Sequence, residues 1–254
     1  MEAVILDLDD TLIVEQAAAR RSVAEALAVV EVTDSDGAVV DAALACARRH
    51  WQGSGFYATC GRLGIASWEG LWATFEGCHR SLDGLADWAS AYRQAAWADI
   101  LGLFGADVER SEEVAQRYIG AQRRGHPPIE SAIDAAGKFA ATMPTGVLTN
   151  GPPDIQRRKL AQTGLAVADD VVVISAEVGF GKPEPAAFSL ALDMLGARAA
   201  GAVMVGDSWE RDIVGSLAVG MRAVWVSKGR RPPADLDGVL IVDELSPATF
   251  DALT

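Results

Sequence analysis

The chain opens with a continuous apolar run, Ala3-Val4-Ile5-Leu6, that stops on a carboxylate, Asp7. A run with no polar alternation suits a strand buried on both faces, which is the signature of a parallel sheet covered by helices. Comparable short runs recur at Gly146–Leu148, Val171–Ile174, Ala202–Val205 and Ala223–Val226. Each later run gives way to a polar or glycine turn, and helix-like stretches separate them, most clearly Pro183–Leu195 and Trp209–Val219. Strand–helix alternation of this kind predicts an α/β fold, with a central parallel sheet in a Rossmann-like core.

Between about Val14 and Arg124 the pattern changes. No strand run appears there, and the apolar residues recur at helical spacing instead. Val40, Ala43, Leu44, Ala47 and Trp51 fall on one helix stripe, and Trp68, Leu71, Trp72 and Phe75 repeat it after Ser67, an expected N-cap. Trp88, Tyr92, Ala95 and Ala96 predict a further helix, as do Val114 and Tyr118 after Ser111. Five of the seven tryptophans lie in this stretch, enough bulk for a core of its own. The expected organisation is therefore an α/β core made of residues 1–13 and 125–254, interrupted by an all-helical unit over residues 14–124. Gly125-His126-Pro127-Pro128 is the expected return hinge.

Composition narrows the function classes. Thirty-five acids against 22 bases leave a net charge of −13, and only four of the cations are lysine. Such a chain repels phosphate backbones, so neither nucleic acid nor an anionic membrane is an expected partner. Three cysteines without a CxxC pair do not make a secreted disulfide framework. No apolar run reaches membrane-spanning length, and Met1-Glu2 carries no basic leader region, so a cytoplasmic protein, monomer or homodimer, is expected. Cys46 and His50 sit four apart on a helix, yet their spacing to Cys60, Cys78 and His79 matches no familiar zinc pattern. The arginine pairs, and the Arg157-Arg158-Lys159 run, read as solvated helix faces. Trp209 packs its loop or walls a pocket.

The chemistry concentrates where the apolar runs end. Asp7-Leu8-Asp9-Asp10-Thr11 places three carboxylates within four residues, an arrangement that calls for a neutralising cation, and hard oxygen ligands suit magnesium. Val205-Gly206-Asp207 ends another run on an acid, with Asp212 five residues on; Val147-Leu148-Thr149-Asn150 ends on a hydroxyl. Gly179-Phe180-Gly181-Lys182 adds one of the few lysines in a glycine loop before a helix. In open parallel sheets, ligands bind beyond the carboxyl ends of the strands, so these groups are expected to face one site. Carboxylates, a hydroxyl and an ammonium around a metal fit phosphoryl transfer.

Taken in order, DLDDT, VLTNG, GFGKPEP and GDSWERD resemble the four motifs of the haloacid dehalogenase superfamily, and the long helical stretch resembles its helical cap. The resemblance implies that Asp7 is the nucleophile, forming an aspartyl-phosphate, and that Asp9 protonates the leaving group and then activates water. It implies magnesium held by the Asp7 carboxylate, the Asp9 backbone carbonyl and the Asp207 carboxylate. Thr149, the Asn150 amide and Lys182 would bind the transferring phosphoryl group, while Asp212 orients Lys182 or a metal-bound water. Dehalogenases on this scaffold lack an acid two positions after the nucleophile, so Asp9 favours phosphate-ester hydrolysis. GDSWERDI resembles the capped phosphatases of small metabolites. The expected function is thus a magnesium-dependent phosphatase of a small phosphorylated metabolite. A sugar-phosphate phosphomutase, or a catalytically silent phosphate-binding regulator on the same scaffold, is the alternative. Substrate selection is expected in the helical stretch, with Arg49 and Phe56 as candidates beside the Gly53-Ser54-Gly55 break, although a plain interhelical turn fits those residues equally.

Overall fold

The computed structural model describes residues 1–33, 35–165 and 171–253. Six parallel strands form one sheet: β1 (Ala3–Leu6), β2 (Thr145–Thr149), β3 (Val172–Ile174), β4 (Ala202–Gly206), β5 (Arg222–Val226) and β6 (Val239–Val242), in the order β3-β2-β1-β4-β5-β6. The five apolar runs read from the sequence are strands. The sixth, β6, is a half-buried edge with Ile241 exposed, and nothing in the sequence reading singled it out.

Alternation along the buried strands feeds two faces. Val4, Leu6, Val147, Val203, Val205 and Val224 pack on one side with Ala132, Ala135, Ala136 and Phe139 of helix α7 (Glu130–Thr142). Ala3, Ile5, Leu148, Val173 and Met204 point the other way, onto Ala187, Phe188, Ala191 and Leu192 of α10 (Pro185–Leu195). Both faces are therefore covered, which is why the strands read as unbroken apolar runs. Register sets the functional edge: Leu6 lies opposite Val147 on one side and Val205 on the other, so β1, β2 and β4 end nearly level.

Among the described residues, six α-helices occupy the long interval after β1: α1 (Gln16–Ala28), α2 (Ala38–Gln52), α3 (Tyr57–Leu63), α4 (Ser67–Gly70), α5 (Leu85–Leu103) and α6 (Ser111–Arg124). Their apolar stripes share a cluster of their own that contains Trp51, Trp72, Tyr92, Trp97 and Tyr118. Trp51, Trp88 and Tyr92 form an aromatic knot with ring centroids 5.2–5.4 Å apart. Trp51, Trp72, Trp88 and Trp97 of this insert thus serve packing.

Two helix expectations need correction. The stripe Trp68–Phe75 makes only the four-residue α4, capped by the backbone of Ala66 rather than by Ser67, because Glu69 turns back to accept from the Ala66 N–H at 2.8 Å. The stretch Trp209–Val219 divides into a wide π-type turn (Trp209–Val214) and a short α11 (Gly215–Ala218), since Asp212 is pulled inward to bind the Ser208 N–H. Trp209 packs edge-on against Trp225 at 5.0 Å instead of walling the pocket described below. The remaining core helices are α8 (Pro153–Thr163), α9 (Ser175–Val178) and α12 (Pro247–Leu253). No helix among the described residues is long and apolar enough to cross a membrane.

Trp97 is fully buried at the centre of the insert and tilts against Tyr118 at 5.4 Å. Trp97→Ala leaves a cavity and is expected to cost about 3–5 kcal/mol of unfolding free energy in urea titration. A loss well under about 1 kcal/mol would mean that the insert does not depend on this packing.

Candidate active site

A pocket of about 350 Å³ opens at the carboxyl edge of the sheet, between the strand ends and the insert. Asp7 follows β1 directly, its N–H donating to Val205 O at 2.9 Å, so the sheet ladder itself fixes the position. Its carboxylate Oδ1 takes the Lys182 ammonium at 2.5 Å, and the same ammonium reaches Asp212 Oδ1 at 2.7 Å. Lys182 is held in turn by Asn150. The Lys182 N–H donates to Asn150 Oδ1 at 2.9 Å and Asn150 Nδ2 donates to Lys182 O at 2.8 Å. That reciprocal pair ties the end of β2 to the glycine loop before α10.

Asp207 follows β4 and faces two further cations, Lys228 at 3.1 Å and Arg230 at 3.4 Å. Gly206 before it has a steric reason: a Cβ there would lie 2.3 Å from Asp212 Oδ2. Thr149, the last residue of β2, presents a buried hydroxyl that has no partner among the described residues. Buried hydroxyls are normally satisfied, so this one is left for a ligand.

Electrostatics follow from crowding. Burial first, and the Asp212 carboxylate next, push Asp7 well above the ordinary carboxylate range against the pull of Lys182. Burial also raises Asp207. Carboxylate oxygens of Asp7, Asp207 and Asp212 lie within 4.8 Å of one another, and among the described residues no other acidic or thiol cluster converges in this way. Hard oxygen donors that converge in this way fit a divalent cation such as magnesium. Cys46 and His50 belong to no such cluster; His50 instead meets Asp99 at 2.8 Å.

Asp7, Asp9, Thr149, Asn150, Lys182, Asp207 and Asp212 all line this pocket, as the strand-end argument expects. The third acid of the first motif has a different task. Asp10 turns into the left-handed region (φ 56°) and accepts from the N–H groups of Glu15 and Gln16, closing the start of α1. Arg49 and Phe56 are not brought in. Arg49 borders a separate surface hollow with Cys46, His50 and Asp99. Phe56 turns inward toward Trp88 at 6.4 Å, with its N–H bonded to Ser54 Oγ in a tight interhelical turn. From the insert, Gly61, Gly64, Ile65, Ala66, Trp68 and Glu69 line the pocket instead.

Asp9 holds the largest surprise. Its carboxylate accepts from Gln156 Nε2 at 2.7 Å and from the Lys159 ammonium at 3.1 and 3.2 Å. Lys159 is wholly buried rather than solvated. It also meets Glu15 Oε2 at 2.9 Å and Glu69 Oε1 at 3.7 Å. A faint signal existed: Gln156, Lys159 and Thr163 recur at i, i+3 and i+7, a polar stripe on the inward face of α8. Its partners Glu15 and Glu69 carry no local sequence mark at all. Burial, the largest effect, works against ionised Glu15, but Lys159 and His126 hold it down to about 2. Burial wins at Glu69 and pushes it up to about 8.

A carboxyl group raised in the folded state opposes folding once it ionises. The penalty of Glu69 therefore grows as pH climbs from its ordinary 4.5 toward about 8. Glu69→Gln keeps an acceptor for the Ala66 N–H and removes that penalty. Its unfolding free energy relative to the parent should shift in its favour between about pH 5 and about pH 8 in urea titrations. A difference that stays flat with pH would show that Glu69 titrates normally.

A family model for haloacid dehalogenase-like hydrolases matches residues 1–220. A phosphoserine phosphatase from Thermus thermophilus is 36% identical over 234 residues, covering 91% of each chain. The Escherichia coli pyrimidine 5'-nucleotidase YjjG is 30% identical over 140 residues, 55% of this chain and 60% of its own. Among solved structures, the magnesium-bound putative hydrolase YfnB from Bacillus subtilis superposes with a TM-score of 0.65 at 20% identity, over 100% of this chain and 98% of its own.

Proposed function

The chain belongs to the haloacid dehalogenase-like hydrolases, and on that premise we propose that it is a magnesium-dependent phosphatase of a small phosphorylated metabolite, working through an aspartyl-phosphate on Asp7. The observation that carries the reading is the pairing of a buried carboxylate with groups suited to cradle a phosphate. Asp7 sits beside Lys182, and the unpartnered Thr149 hydroxyl lines the same pocket.

The transferring phosphoryl oxygens are bound by Lys182, by the Thr149 hydroxyl and by the backbone N–H of Asn150. Asp212 keeps the ammonium in place from the far side, at 2.7 Å. Asp7 attacks phosphorus; the new Asp7 O–P bond forms as the ester P–O bond breaks, and Asp9 gives its proton to the departing alkoxide. In the second half Asp9 takes a proton from water, the water oxygen bonds to phosphorus, and inorganic phosphate leaves with Asp7 restored. Asp7, Asp207 and the Asp9 backbone carbonyl would hold magnesium, whose charge lets a carboxylate approach an anionic phosphoryl group.

The helical insert, residues 14–124, acts in this reading as a cap. It supplies the pocket wall from Gly61 to Glu69 that meets whatever the phosphoryl group is attached to. About 350 Å³ suits a small metabolite better than a polymer end. Phosphoserine is the first substrate to try, given the name of a relative that is 36% identical over 91% of the chain.

Purified protein should release inorganic phosphate from p-nitrophenyl phosphate only with a divalent cation, and stop on chelation. Full activity after exhaustive chelation would sink the magnesium assignment. Asp7→Asn keeps the shape but lacks the nucleophile, so turnover should fall by several decades while ester binding survives. A screen of phosphorylated metabolites, scored for both phosphate release and isomerised product, separates hydrolysis from a mutase.

A further inference from the structure

Lys159 does work that the phosphoryl chemistry above does not assign. It projects from α8, contacts neither Asp7 nor Lys182, and is entirely buried among three carboxylates that come from three parts of the chain. Asp9 belongs to the catalytic loop after β1. Glu15 lies on the first crossing into the insert, and Glu69 on α4 within it. Glu15 is further fixed by Trp68 Nε1 at 3.2 Å, and His126 Nε2, on the return crossing, lies 3.0 Å from it. His126 itself stacks on Trp72 of the insert with centroids 5.9 Å apart. One ammonium thus joins the acid–base carboxylate to both crossings and to the pocket wall.

The hydrogen bonds on Asp9 are unequal. Oδ2 accepts from both Gln156 and Lys159, while Oδ1 accepts from Lys159 alone. Oδ1 therefore keeps a lone pair for the proton in transit, and its direction is set by where Lys159 stands. We propose that Lys159 is a positioning residue: anchored by Glu15 and Glu69 at the root of the cap, it aims Asp9 Oδ1 at the ester oxygen, so that proton delivery is organised only when the cap is docked. This rests on the reading of Asp9 as general acid and base. The proton moves from Oδ1 to the ester oxygen as the P–O bond breaks, and Lys159 neither gains nor loses one.

Removing one charge from so buried a group risks unfolding, so the test uses a charge-balanced pair, Lys159→Met with Glu15→Gln, and Lys159→Gln as a second variant. Quenched-flow phosphorylation of Asp7 is measured in magnesium with p-nitrophenyl phosphate, whose leaving group needs little protonation, and with glycerol 2-phosphate, whose alkoxide does. Both variants should lose at least about tenfold more rate on the alkyl ester than on the aryl ester, with KM changed less than about threefold on either. In an Asp9→Asn background the Lys159 change should add no further selective loss, because the group it aims is gone. Equal losses on the two esters, or a selective loss that persists without Asp9, would overturn the proposal. If Asp9→Asn alone discriminates between the esters and neither Lys159 variant does, only the positioning role falls. If Asp9→Asn does not discriminate, the acid role falls and the positioning role with it.

Discussion

Everything at the carboxyl edge of the sheet depends on placing two ammonium groups where water cannot neutralise the surrounding acids. Lys182 and Lys159 are both buried, one between Asp7 and Asp212, the other among Asp9, Glu15 and Glu69. Five acidic side chains could not share this volume without them. Losing one partner of such a pair typically costs about 3–5 kcal/mol, because the remaining charge stays buried and unpaired. The sheet supplies the rigidity that keeps the two clusters distinct: Asp7 and Thr149 are fixed by strand register, whereas Lys182 is fixed by its exchange of hydrogen bonds with Asn150.

The insert meets the sheet's edge through many polar contacts as well as apolar ones. Ser175 Oγ donates to Leu63 O, Thr74 takes Asp154 through its N–H at 2.7 Å, and Arg62 reaches Gly179 O and Glu184. Water can replace such bonds at modest cost, as it does in interfaces between domains that move. The apolar cluster of the insert is largely self-contained, so its own packing need not be disturbed when those bonds exchange. Gly64 marks how close the two parts come, since a Cβ there would sit 2.7 Å from Asn150 Cβ.

The sequence disclosed the sheet and the end of the pocket formed by Asp7, Thr149 and Asp207 for a physical reason. Strands buried on both faces must be apolar without interruption, and the residues just past their ends face one pocket, so Asp7, Thr149 and Asp207 are local consequences of strand pattern. Lys182 and Asn150 follow because they sit within a few residues of the same ends. The surroundings of Asp9 were not legible, since Lys159, Glu15 and Glu69 meet only through tertiary packing and each looks like an ordinary helix-surface charge. Tertiary context also defeated the helix reading at Trp68–Phe75 and Trp209–Val219, where regular α-helix is confined to Ser67–Gly70 and Gly215–Ala218. Arg49 and Phe56 illustrate the opposite error. A break between helices looks like a loop free to reach the core, but Ser54 and Trp88 hold it against the insert.

The distribution of lysine has a practical consequence for chemistry done on this protein. Of its four lysines, Lys159 and Lys182 are buried, while Lys138 and Lys228 are exposed. Amine-selective acylation of the folded chain is therefore confined to Lys138, Lys228 and the N-terminus. Lys228 lies on Asp207 at the pocket, so surface immobilisation through amines places part of the population with its mouth against the support. Lys159, wholly buried, becomes reactive only when the sheet edge opens, which makes its labelling a direct clock for local unfolding there.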